Sequence, residues 1–105
     1  MKRNGVITIK MIGSVGSFAE NKDLAQKIRK NEILPALRKN HRVVLDFSGV
    51  NSTTQSFIHA LISELIREYG INVLDRVMFK SCNDTVKRII SIVVEYMQYE
   101  ETTDT

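Results

Sequence analysis

The chain has 105 residues, 43% of them apolar and 26% charged, with a formal net charge of +3. That balance predicts one soluble globular domain over residues 1–98 with a flexible acidic tail over 99–105. No apolar run approaches the roughly 18 residues of a membrane span, no apolar signal segment follows the basic start, and Cys82 alone makes no internal disulfide, so a reducing cytoplasm is expected.

The charge is uneven. Residues 1–42 carry ten Lys/Arg against three Asp/Glu, whereas residues 43–105 carry five against nine. A basic half attracts nucleic acid or an acidic partner. No aromatic residues interleave with its cations as single-strand binders need, so a lysine-rich helix surface is the favoured reading.

Gly5 to Met11 alternates, with Val6, Thr8 and Lys10 on one side and Ile7, Ile9 and Met11 on the other. This predicts a half-buried strand at a sheet edge. Gly13 to Ser17 reads as a flexible turn; it lacks the glycine spacing of a dinucleotide fingerprint and the Lys-Ser/Thr of a phosphate loop. Ser17-Phe-Ala-Glu20 matches a capping box opening a helix through Leu24, Ala25 and Ile28. Pro35 removes a backbone donor, so that helix is expected to kink or restart near 31–34 and to end by Asn40. Lys27, Arg29, Lys30, Arg38 and Lys39 cluster late in it, where cations suit the negative helix end.

Arg42 to Phe47 holds the unbroken run Val43-Val-Leu45, which reads as a strand covered on both faces. The loop from Ser48 to Thr54 feeds a helix over about 53–69, with Phe57, Ile58, Leu61, Ile62, Leu65, Ile66 and Tyr69 on one side and Gly70 as its stop. A third strand is expected over about 73–80, bent at Asp75-Arg76. Ser81 to Asp84 supplies capping residues for a third helix over about 85–98. The apolar residues of that helix span roughly 200°, more than packing on a sheet requires. Ile92 and Tyr96 at one margin are covered either by a neighbouring helix or by a second copy of the chain or another protein. The order β-α-β-α-β-α predicts a small, mainly parallel α/β sheet of three to four strands with right-handed crossovers, its ligands and partners met at the carboxyl ends of the strands.

Little in the chain points to catalysis. The nucleophile elbow is absent, and one cysteine with two distant histidines, His41 and His59, makes no zinc site. Both histidines read as surface residues. Asp46 sits at a strand end, where it accepts backbone N–H bonds from the following turn or joins a magnesium-phosphate site. No cofactor is called for. The hydroxyls of Ser48, Ser52, Thr53, Thr54 and Ser56 form the densest polar cluster. Ser52-Thr-Thr-Gln55 matches a capping box that accounts for Ser52 and Gln55. Thr53, Thr54 and Ser56 then remain for docking, or for phosphorylation at a positive helix end.

The stretch RVVLDFSGVNSTTQSFIHALI, preceded by SFAENKDLAQKIR and followed by a third β-α pair, resembles the STAS-like domain family of unknown function over roughly residues 5–98. More distantly it is similar to the STAS domains of bacterial anti-sigma-factor antagonists and sulfate transporters. The resemblance implies a non-catalytic signalling module that binds partners through the loop and helix after the VVLDFSGV strand. The partner it implies is a histidine-kinase-like ATPase, and the docking residues are Ser48, Asn51, Ser52, Thr53, Thr54, Gln55 and Ser56. The antagonists' Asp-Ser-Ser-Gly falls on Thr54, Gln55, Ser56 and Phe57. Their phosphoacceptor position is therefore Gln55, which takes no phosphate, and a shift of one residue makes Thr54 or Ser56 the candidate acceptor. The alternatives are a homodimer through helix 85–98, nucleic-acid binding through the basic first helix, and, ranked last, an enzyme using Asp46.

Overall fold

A computed structural model describes residues 5–103, with side chains described for residues 5–99. Three parallel strands, β1 (Val6–Lys10), β3 (Arg42–Asp46) and β5 (Val77–Lys80), form a sheet in the order β1-β3-β5. Two further short strands, β2 (Phe18–Ala19) and β4 (Ser52–Thr53), pair in parallel beside it. The helices are α1 (Met11–Val15), α2 (Lys22–Ile28), α3 (Leu34–Arg38), α4 (Gln55–Tyr69) and α5 (Asp84–Thr103). The predicted α/β class, the small parallel sheet and the edge position of β1 are all present.

Register explains the core. Ile9 pairs with Leu45, and Leu45 with Phe79. In a pleated sheet such partners share a face. Val43, Leu45, Phe47 and Val77 on that face are at most 1% exposed, and Phe47 and Phe79 meet with ring centroids 6.1 Å apart. From α4, Phe57, Ile58, Leu61, Ile62, Leu65 and Ile66 close over them, as the periodicity predicts. Helix α5 adds Val86, Ile90, Val93 and Met97.

The opposite face corrects the expectation of a sheet covered twice. Val6 is 59% exposed and Met78 40%, while Val44, between Thr8 and Met78, is half-buried. That row is therefore largely open. Val44 is shielded sideways by its strand neighbours, which a continuous apolar run cannot reveal.

Other boundaries also moved. Met11 starts α1 instead of ending the strand. The residues expected to open the first helix are extended, because Ser17 to Ala19 bonds with the segment around β4: Asn51 N–H donates to Ser17 O at 2.7 Å, and Thr54 N–H to Ala19 O at 3.2 Å. The cap falls to Asn21, whose side-chain oxygen accepts from Asp23 N–H at 2.9 Å. Asparagine caps as well as serine. Between α2 and α3 the chain makes a wider π turn, Arg29–Ile33, where the helix was expected to kink. The apolar spacing shows why: Ile28 and Ile33, both buried, lie five residues apart, and only a wider turn keeps them on one side.

The expected third strand is shortened. Ile71–Asp75 form a 3-10 turn and only Val77–Lys80 are strand. Arg76 sits at the junction, where its Nη2 donates to Leu37 O at 2.7 Å and its guanidinium lies 6.0 Å from the centre of the Tyr69 ring. Helix α5 runs past its expected end at Gln98, so the tail predicted over 99–105 begins as helix; residues 104 and 105 lie outside the described residues. His41 is not a plain surface group, since its Nδ1 accepts from Gly5 N–H at 3.0 Å.

Gly70 ends α4 at φ 84° and ψ 168°, a region essentially restricted to glycine. Gly70→Ala should cost about 1–3 kcal/mol of stability in urea unfolding. Gly13→Ala, placed within α1 with nothing within 4 Å of the added carbon, should be neutral or stabilise by up to about 1 kcal/mol.

Candidate functional site

The three sheet strands run in parallel, so their carboxyl ends share one edge. There Lys10, Asp46 and Lys80 are in register across the strands. Asp46 Oδ1 accepts from Ser48 N–H at 2.9 Å, the turn-closing role foreseen for it. Gly49 follows at φ 84°, and a side-chain carbon there would meet Ile12 at 3.3 Å. The turn therefore packs closely on α1.

The loop from Ser48 to Thr54 is bound at several points. Asn51 N–H reaches Ser17 O, and Asn51 O accepts from Asn83 Nδ2 at 2.8 Å. Asn83 Oδ1 in turn accepts from Val86 N–H at 2.8 Å, capping α5. One asparagine thus ties the β5–α5 connection to the candidate loop. Ser81, just before it, holds a left-handed φ of 58°.

The hydroxyl cluster divides. Thr53 is buried, and its Oγ1 donates to Ala19 O at 2.7 Å. Thr54, half-buried, is the helix cap: its Oγ1 accepts from Phe57 N–H at 3.1 Å. The box expected on Ser52 is therefore displaced by two residues, because Ser52 and Thr53 are held extended in β4. Ser52 is half-buried, while Ser48, Asn51, Gln55 and Ser56 are exposed. Of the two candidate phosphoacceptors, Ser56 lies open on the first turn of α4 and Thr54 is engaged in capping.

Beside that turn is a groove of about 600 Å³ between α2, α4 and α5. Gln55 and Ser56 reach it from the candidate loop. Sequence reasoning missed the other polar lining residues, Lys22, Gln26, Arg29 and His59. Their signal was the spacing: 22, 26 and 29 share one helix face, as do 56, 59 and 63. Arg29 is half-buried. Its Nη1 donates to Ala60 O at 2.9 Å, while its Nε is buried without an acceptor among the described residues. Ile92 and Tyr96 of α5 form the far wall, at 39% and 56% exposure. The margin of α5 therefore borders an open groove and is only partly covered.

Cys82 is half-buried behind the loop edge. Burial pushes its thiol up, the nearby Lys87 charge pulls it down, and Asp46 pushes it up further. Among the described residues no group of three or more His, Cys, Asp or Glu side chains could hold a metal ion. No described helix is long and apolar enough to cross a membrane.

A parallel β3 feeding a tight Asp-Phe-Ser-Gly turn, a hydroxyl-rich loop and a long amphipathic helix is the arrangement that carried the resemblance. Residues 25–87 match the family described as a STAS-like domain of unknown function (DUF4325). The chain belongs to that family. The match takes in most of α2, all of β3 to β5 and the first residues of α5. It leaves out β1 and the Asn21 cap, so it is shorter than the 5–98 read from the sequence. No curated protein and no solved structure matches the chain.

Two predictions follow from the geometry of this STAS-like loop. Thr54→Ala should lower stability by about 1 kcal/mol, the usual loss of a cap. Ser52→Ala should change it by less than about 0.5 kcal/mol; urea unfolding of both variants separates the two capping assignments. Because only the thiolate reacts, iodoacetamide at pH 8 should alkylate Cys82 more slowly in the folded protein than in the same chain unfolded in urea.

Proposed function

We propose that this STAS-like domain is a non-catalytic interaction module in a bacterial cytoplasmic signalling pathway, docking a histidine-kinase-like ATPase through residues 48–54 and the first turn of α4. The observation that carries this reading is the divided hydroxyl cluster. Thr53 and Thr54 fasten the loop from within, so Ser48, Asn51, Gln55 and Ser56 are offered on a fixed frame. A preformed surface loses little conformational freedom on binding. Ser56, open and at a positive helix end, is the better placed of the two candidate phosphoacceptors.

Ser56→Glu puts a charge on the docking surface at a position where an acidic residue suits the helix. A tagged wild-type domain should capture the ATPase from its native lysate. The variant, shown to be folded by circular dichroism, should lose at least about tenfold of that capture. Undiminished capture by the folded variant would move the surface elsewhere.

The exposed cations Lys22, Lys27, Lys30, Arg38 and Lys39 favour nucleic-acid binding as a second reading. Arg29 is turned inward and contributes less to that surface. This reading requires affinity for labelled RNA or DNA that falls steeply with salt in fluorescence anisotropy. A second copy of the chain against Ile92 and Tyr96 is a further partner for the same module, read by light scattering.

A further inference from the structure

The groove between α2, α4 and α5 has features that a protein-docking surface does not require. Its volume of about 600 Å³ is in the range of small-molecule sites and far exceeds a simple ion. Charge is distributed along it. Lys22 and Arg29 line one side with His59, next to the first turn of α4, where helix polarity favours an anion. Ile92 and the Tyr96 ring give the opposite wall an apolar surface, and Glu64 is the one acidic lining residue.

Arg29 is the most informative of these groups. Its bond to Ala60 O fixes the guanidinium between α2 and α4. Its Nε is buried with no acceptor among the described residues, an uncommon condition for a buried donor. Nε itself is sealed from the groove, but the half-buried side chain lines it, and a guanidinium held in place suits an anion with several acceptor oxygens.

We propose that this groove binds an organic phosphate of nucleoside-monophosphate size. The phosphate is held at Lys22 and Arg29, with Ser56 and His59 as polar neighbours, and the flat ring system lies against Ile92 and Tyr96. The inference stands apart from the docking reading, because small-molecule binding is measured on the isolated chain with no partner present.

The experiment is a nuclear magnetic resonance titration of the 15N-labelled chain with AMP, and separately with adenosine and with inorganic phosphate. AMP should shift amides of α2, the first turns of α4 and the Ile92 region of α5 together. Adenosine and phosphate should each bind at least about tenfold more weakly, since each lacks one half of the recognition. Lys22→Glu, at an exposed helix start where glutamate is well tolerated, should weaken AMP by at least about tenfold. Ile92→Asp should weaken it without changing the fold reported by the remaining amides. No shift up to about 10 mM AMP, shifts confined to other surfaces, adenosine binding as tightly as AMP, or undiminished binding to Lys22→Glu would each overturn the proposal.

Discussion

The structure depends on the parallel clip between Ser17–Ala19 and Asn51–Thr54. Its backbone bonds and the buried Thr53 hydroxyl on Ala19 O fasten the approach to α2 against the approach to α4. Each of those helices then begins immediately after the clip, at Lys22 and Gln55. Their starting points fix which residues face each other across the groove. Two residues per strand are far too few to form a sheet independently. The pair persists because the core beneath it, Ala19 and Phe57 included, is sealed from water.

Much of this fold was legible in the sequence. Alternation in β1, the apolar run of β3 and the stripe of α4 are repeating signals, and each placed its element correctly. What escaped were contacts between segments distant in the chain. Ser17 looked like a helix cap because the capping pattern is local, whereas its actual partner, Asn51, is more than thirty residues away. The same competition displaced the cap of α4 from Ser52 to Thr54. The open face of the sheet was missed for another reason. A run of valines reports that a strand is central, and a central strand in a three-stranded sheet is shielded by its neighbours even on a largely open face.

The candidate site shows the same division. The loop residues were found from their chemistry, a concentration of hydroxyls after a strand. Their roles separated only in three dimensions, where Thr53 and Thr54 are structural, Ser52 is half-buried in β4, and Ser48 and Ser56 face outward. The groove beside them joins residues from three helices. No stretch of sequence contains it, although the spacing on each helix marks one wall.

The π turn between α2 and α3 bears on how other members of this family should be aligned. One residue more than an α-helical turn separates Ile28 from Ile33, and that extra residue keeps both helices' apolar sides on the core. A relative with one residue fewer there would have an ordinary α-helix, in which the counterparts of Ile28 and Ile33 lie four residues apart and still share a side. Its core would be kept, and what changes is the local bulge of backbone beside the Arg29 counterpart. A single-residue gap in that segment is therefore the difference expected between relatives with and without the wider turn, and the helix faces on either side of the gap correspond position by position.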